Sequence, residues 1–270
     1  MMTVSALAFY PVKSCRGIPL QRARVGRLGI QYDRQWMFVD EHGMFLAQRG
    51  DRAVGVEVRT LCLVHAEVAG ETLRLTAPDM PPLNLPLAGR PGPDVPVRVW
   101  ASETVGVDQG EDAQAWASAF ISRERPGRYR LVRMADDTRR LAKRGEATLA
   151  FADGYPFLII SDASLADLNH RLDEPLPMNR FRPNIVLSGC EPYEEDRLDA
   201  LRIGEIELEG MTLCLRCPIP TTNQDTAVRG REPLQTLATY RRVPDGVLFG
   251  RNFNHRGSGV ISVGDTVHAG

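Results

Sequence analysis

Two cysteines three residues apart, Cys214 and Cys217, lie in MTLCLRCPIPTTNQDTAVRG, residues 211–230, a stretch without histidine. The pair has four readings. A redox dithiol sits at a helix N-terminus, where the dipole favours the thiolate, whereas IELEGMTLCLR reads as strand and places residues three apart on opposite faces. A structural zinc site needs four ligands, and the sequence has no second such pair. Two buried cysteines with no chemistry are the plain alternative. The fourth reading is a single thiolate, Cys217, bound to a soft metal. Arg216 beside it would favour the charged sulfur, and PTTNQDT would supply short polar side chains on a turn.

Three other stretches favour an anion. YPVKSCRG sets Lys13 and Ser14 directly after a strand, where an ammonium and a hydroxyl can meet a phosphate. In MNRFRPNIVLSG, an extended backbone would put Arg180 and Arg182 on one face and Phe181 on the other. Two guanidinium groups on one face call for an anion between them, either a ligand or a carboxylate of the chain such as Glu194 or Glu195. Ser161 opens a helix whose free N–H groups are a third place favouring an anion. Asp225 and His255 are polar residues near these segments, and neither is assigned as a general acid. Among the 33 cationic side chains only Lys13 and Lys143 are lysines, and a guanidinium fork suits bidentate phosphate contacts.

The elements that must position these residues follow from patterning. The 270 residues are 43% hydrophobic, with a formal net charge of −1, which gives no overall field toward nucleic acid or lipid. The longest apolar burst, PFLII, is too short to span a bilayer, and no secretory signal opens the chain. A cytoplasmic protein that binds no membrane and no nucleic acid is expected, its five cysteines reduced. The first part is mostly β: VSALAFYPV, QYDRQWMFVDEHGMFLAQR with a turn at Glu41–His42–Gly43, VEVRTLCLV, and ETLRLTA after a tight Ala69–Gly70 turn. PDMPPLNLPLAGRPGPDVP is too proline-rich for a central strand. EDAQAWASAFIS places Ala115, Trp116, Ala119 and Phe120 at helical spacing. The second part alternates: RYRLVRM, then YPFLIISDASLADLNHRL as strand into a helix capped by Ser161 or Asp162, then FRPNIVLSG, LRIGEIELEG, MTLCLRCPI, a short helix in EPLQTLATYRR and a closing pair around VGDTVHAG. An α+β, β-rich fold is expected, with a barrel-like N-terminal domain over 1–120 packed with a domain of strands and helices over 121–270.

Taken in order, YPVKSCRGIPL, YDRQWMFVD, FLIISDASLADLN, RFRPNIVLSG and CLRCPIPTTNQDT…REPLQTLATYRR resemble the MOSC superfamily with its N-terminal β-barrel domain, and in particular the mitochondrial amidoxime-reducing components and their bacterial relatives. The resemblance runs almost end to end. It implies a molybdopterin-type molybdenum cofactor: a metal bound by two sulfurs of a phosphate-bearing pterin and by one protein thiolate. The position directly after arginine and before the PTT-like stretch makes Cys217 the catalytic metal ligand and Cys214 its neighbour. The family's pterin and phosphate contacts fall on Lys13, Ser14, Arg34, Ser161 and Arg182. Arg180 stands where the mitochondrial relatives have asparagine, and Arg216 would contribute through backbone or side chain. The implied reaction is two-electron reduction of N-hydroxylated compounds such as hydroxylamines and amidoximes. No cysteine follows Cys217, so electrons are expected from a separate reductase or ferredoxin-type protein, and with no apolar anchor at the start a soluble component is expected. The alternative within the same resemblance is a module that carries or delivers the cofactor or its sulfur without turnover.

Overall fold

The computed structural model describes residues 1–50, 55–89, 91–137 and 139–270. Its longest ladder pairs Ile206–Leu215 with Gly246–Arg256, antiparallel. Along the first of these, Ile206 and Leu208 point inward while Glu207 and Glu209 face out, the alternation of a sheet with one wet face. The nine-stranded sheet built around this ladder runs Ile18–Leu20, Thr3–Phe9, Ile185–Ser188, Phe157–Ser161, Gly246–Arg256, Ile206–Leu215, Ala200–Ile203 and Val267–Ala269, with Arg242–Val243 branching from Gly246–Arg256. Phe157–Ser161 and Ile185–Ser188 are parallel, so their connection must cross over, and it carries the helix Asp162–Asn169.

A four-stranded sheet, Asp94–Val99, Ser102–Asp108, Tyr129–Met134 and Trp36–Asp40, and the three-stranded sheet Leu83–Pro86, Thr72–Thr76 and His65–Ala69 make up most of the N-terminal part. Helix Glu111–Ile121 buries Ala113, Trp116, Ala117 and Phe120, spaced i, i+3, i+4 and i+7, in the core that holds Trp36, Phe38 and Leu131. Strand pairing crosses the middle of the chain. Thr3–Phe9 lies against Ile185–Ser188, Arg22–Gly26 against Gly259–Ser262, and Tyr129–Met134 against Trp36–Asp40.

The helix face is turned from the expected one: Ala115 and Ala119 are exposed, because the large rings of Trp116 and Phe120 take the inside with the smaller alanines 113 and 117. VEVRTLCLV is strand only at Val56–Glu57 and then winds into the 3₁₀ turn Arg59–Leu63. The Glu124 carboxylate accepts from the N–H groups of Arg59 and Thr60 at 3.0 and 2.9 Å, giving the start of that turn the acceptor a ladder would otherwise supply. The segment 178–182 is not extended. Met178–Arg180 is a 3₁₀ turn, and Arg182 has φ +60. The two closing strands pair with Arg22–Gly26 and Ala200–Ile203 rather than with each other.

Ser161 is the N-cap, its Oγ accepting from Ser164 N–H at 3.0 Å. The fully buried Glu195 accepts from both serine hydroxyls at 2.9 Å and from the Ser161 N–H at 3.3 Å. Burial raises this carboxyl above the usual range, opposed by those hydrogen bonds. Elsewhere, His255 packs edge-on against Phe157, donates from Nε2 to the Gly26 carbonyl at 2.8 Å and leaves a buried Nδ1 without a partner. Among the described residues no helix is long and apolar enough to cross a membrane.

Glu195→Ala strips three donors of their acceptor and should cost about 2–4 kcal/mol in urea unfolding. His255 yields a pH dependence. Burial lowers its folded pKa, so the unfolded chain binds the extra proton and stability falls as pH drops below the unfolded value of about 6.5. Urea midpoints at pH 7.5 and 5.5 should show the loss, and His255→Gln should reduce it.

Candidate functional site

A cavity of about 460 Å³ lies where the end of the first strand, the 151–155 segment and the end of Ile206–Leu215 meet. Among the described residues its wall carries seven cationic side chains, Lys13, Arg34, Arg49, Lys143, Arg144, Arg182 and Arg216, against one carboxylate, Asp153. Ser14, Cys214 and Cys217 belong to the same wall.

The turn after Thr3–Phe9 is held by the Lys13 N–H donating to the Trp36 carbonyl at 2.8 Å and by the Cys15 N–H donating to Val12 at 3.1 Å. Ser14 takes φ +66 within it. The buried Lys13 ammonium donates to the Phe151 carbonyl at 2.8 Å and to the Asp153 carboxylate. Burial pulls Lys13 down, opposed by Asp153. For Asp153, whose side chain stays 48% exposed, partial desolvation works upward, and the ammonium beside it overrides that and holds the carboxyl far below the usual range.

Arg34 and Arg182 both pack on one ring. Their guanidinium carbons stand 4.3 and 4.2 Å from the Tyr10 centroid. Arg34 Nη1 donates to Asp33 at 2.5 Å and to Asn184 Oδ1 at 3.0 Å, while Arg182 Nη1 donates to the Cys15 carbonyl at 2.6 Å. Arg216 reaches Cys214 Sγ at 3.2 Å and the Phe181 carbonyl at 2.8 Å. Its Nε, and that of Arg49, are buried without a partner. Cys217 follows the strand end at Leu215 and precedes the 3₁₀ turn Ile219–Thr221. Burial raises its thiol pKa, opposed by Arg49, Arg216 and the Ile219 N–H.

Of the residues singled out from sequence, Cys217, Lys13, Ser14, Arg34, Arg182 and Arg216 come together in this wall, and Ser161 and Arg180 do not. The helix start at Ser161 already has its anion in Glu195, so that carboxylate answers the helix and not the two arginines. Arg180, turned away by the 3₁₀ turn, donates from Nε to the Pro220 carbonyl at 2.7 Å, on the turn that follows Cys217. Asp225 pairs with Arg16 at 2.6 Å, outside the cavity wall. All five cysteines are free. The described residues contain no group of three or more His, Cys, Asp or Glu side chains able to hold a metal by themselves.

Arg49, Lys143, Arg144 and Asp153 were missed from sequence. Their signals, LAQRG, LAKRG and FADG, look like ordinary surface turns, and only the fold turns them toward one space. The assembled site has the charge to take a polyanion and a sulfur able to become a metal ligand.

Comparison with known proteins gives the family. Residues 1–124 match the MOSC N-terminal beta barrel domain and residues 146–268 the MOSC domain. The mitochondrial amidoxime-reducing component 1 of Homo sapiens is 37% identical over 98% of this chain and 82% of its own length. The Xenopus laevis component 1 is 35% identical over 98% and 81%, and the Rattus norvegicus component 2 is 34% identical over 98% and 82%. The protein therefore belongs to the MOSC family, with the N-terminal β-barrel domain and the MOSC domain in one chain.

Proposed function

We propose that this protein is an oxidoreductase that binds a molybdenum cofactor and reduces N-hydroxylated compounds such as hydroxylamines and amidoximes, with electrons from a separate protein. The observation that carries the reading is the wall of the cavity, where seven cations face one carboxylate beside the Cys217 thiol. Like charges gathered around a partly enclosed space repel each other until an anion enters, and about 460 Å³ suits a single small molecule. The names of the relatives, amidoxime-reducing components, support the same reaction class.

The residues fit a phosphate-bearing, sulfur-ligated metal group. Lys13, Ser14, Arg34 and Arg182 would hold its anionic end, and the unpartnered Nε atoms of Arg49 and Arg216 leave donors to spare. Cys217 would be the thiolate ligand. Burial opposes its ionisation, so the sulfur gains most by binding a cation that replaces the proton. The bound cofactor supplies the two-electron chemistry.

The chain's own residues position and protect. Lys13 is tethered at two oxygens, so its charge is fixed before any ligand arrives. Asp153 stays ionised and therefore holds Lys13 rather than giving up a proton at neutral pH. Arg216 ties Cys214 to Phe181, and Arg180 anchors Pro220, so both sides of Cys217 are restrained.

The test is the metal content of protein expressed in a host that makes molybdenum cofactor, read by inductively coupled plasma mass spectrometry. Wild type should hold near-stoichiometric molybdenum, Cys217→Ala almost none, and Cys214→Ser most of it; equal loss in both variants would overturn the single-ligand assignment. Benzamidoxime turnover with an artificial electron donor then separates a reductase from a cofactor carrier, which would hold the metal without turning over.

A further inference from the structure

Two of the cavity's cations differ from the rest. Lys143 and Arg144 line it, yet both are exposed, whereas Lys13 and Arg182 are buried. They stand at the mouth.

Their backbone is fixed in place. The Lys143 N–H donates to the Gly154 carbonyl at 3.0 Å, and the Arg144 carbonyl accepts from Asn254 Nδ2 at 2.9 Å. The strands Arg140–Leu141 and Thr148–Leu149 pair on either side of the turn, and the Arg140 guanidinium beneath it donates to the carbonyls of Ala150, Ala152 and Asp153. Gly145 closes the turn at φ +77. The Lys143 stem lies over Gly154, where an added Cβ would meet Lys143 Cδ at 2.9 Å.

The charged ends are treated otherwise. Neither the Lys143 ammonium nor the Arg144 guanidinium forms an ion pair or hydrogen bond among the described residues. A surface turn pinned through its backbone, with two unanswered charges at a cavity mouth, presents those charges to what enters. The same mouth has an apolar side, since Leu215 lines the cavity and is 48% exposed.

We propose that the Lys143–Arg144 turn recognises substrate, selecting N-hydroxylated compounds that carry anionic oxygens, a carboxylate or a phosphate, on an apolar body over neutral ones. This rests on the reductase reading of the same cavity, in which Lys13, Arg34 and Arg182 are assigned to the cofactor. Two exposed charges acting on one anion give a preference of about three- to tenfold, and it should weaken as salt is raised.

The experiment is isothermal titration calorimetry of the molybdenum-loaded protein with benzamidoxime and its para-carboxylate and para-phosphonate derivatives. Wild type, Lys143→Gln/Arg144→Gln and Lys143→Arg are compared, with molybdenum measured in each. The expected result is tighter binding of an anionic derivative by wild type and Lys143→Arg, and an affinity ratio near one in the double variant with its molybdenum kept. The larger of the two anionic preferences assigns the carboxylate or the phosphate. Equal affinities in wild type, a preference that survives in the double variant, or molybdenum lost with the turn's charges would each overturn the proposal. Because calorimetry reads binding without turnover, a molybdenum-loaded protein that shows the preference yet reduces nothing would sink the reductase reading and leave the turn's selectivity standing.

Discussion

An ammonium with only 5% of its side chain exposed must be answered inside the protein, since a buried charge without partners costs several kcal/mol, on the order of what holds a whole domain together. Lys13 meets that demand with the Phe151 carbonyl and the Asp153 carboxylate. This contact fixes the turn after the first strand against a segment 138 residues further on. The Phe151 N–H also donates to the Arg34 carbonyl at 2.8 Å, and Arg140 bonds the same segment from the other side. Residues 150–153 are thus clamped between the turn of Lys13, the turn of Arg34 and the strand of Arg140, and the cavity wall is built on that clamp.

The second feature is the kind of partner the cations are given. Arg182 donates to Cys15, Arg216 to Phe181 and Arg180 to Pro220, all through backbone carbonyls. A carbonyl satisfies the donor but leaves the unit charge uncancelled. Among the described residues, of these cations Lys13 and Arg34 have carboxylates, Asp153 and Asp33, and burial raises the Asp33 carboxyl. Arg34 and Arg182 both pack on the Tyr10 ring, an interaction worth about 0.5–2 kcal/mol in a protein. Arg182 and Arg216 are thereby held in place without a carboxylate among the described residues, and a positive potential is left for a ligand.

This arrangement also separates the roles of the two cysteines. Cys214 sits within the strand Ile206–Leu215 and accepts from Arg216. Cys217 lies beyond the strand, where the backbone bends into the turn Ile219–Thr221, and its sulfur is fixed by the bend rather than by the sheet. The ladder shifts register between Leu213 and Leu215, which changes the simple alternation of faces at Cys214.

The sequence by itself carried the local elements. A cap at Ser161 or Asp162, the helix after it, the turn at Gly43 and the strand through IELEG depend on neighbours a few residues away, and the structure has them, with Ser161 as the cap. It also marked Lys13, Ser14, Arg34, Arg182, Arg216 and Cys217, which share one wall. Patterning misplaced what depends on distant partners. The 59–63 turn is set by Glu124, the outward face of helix Glu111–Ile121 by its packing, and the use of Ser161 by Glu195. Arg49, Lys143, Arg144 and Asp153 join the cavity only because strands far apart in sequence pair and carry their loops to the same end. Short-range patterning encodes caps, turns and faces. The balance of charge in a cavity is a sum over residues from every part of the chain, and only the tertiary structure adds it up.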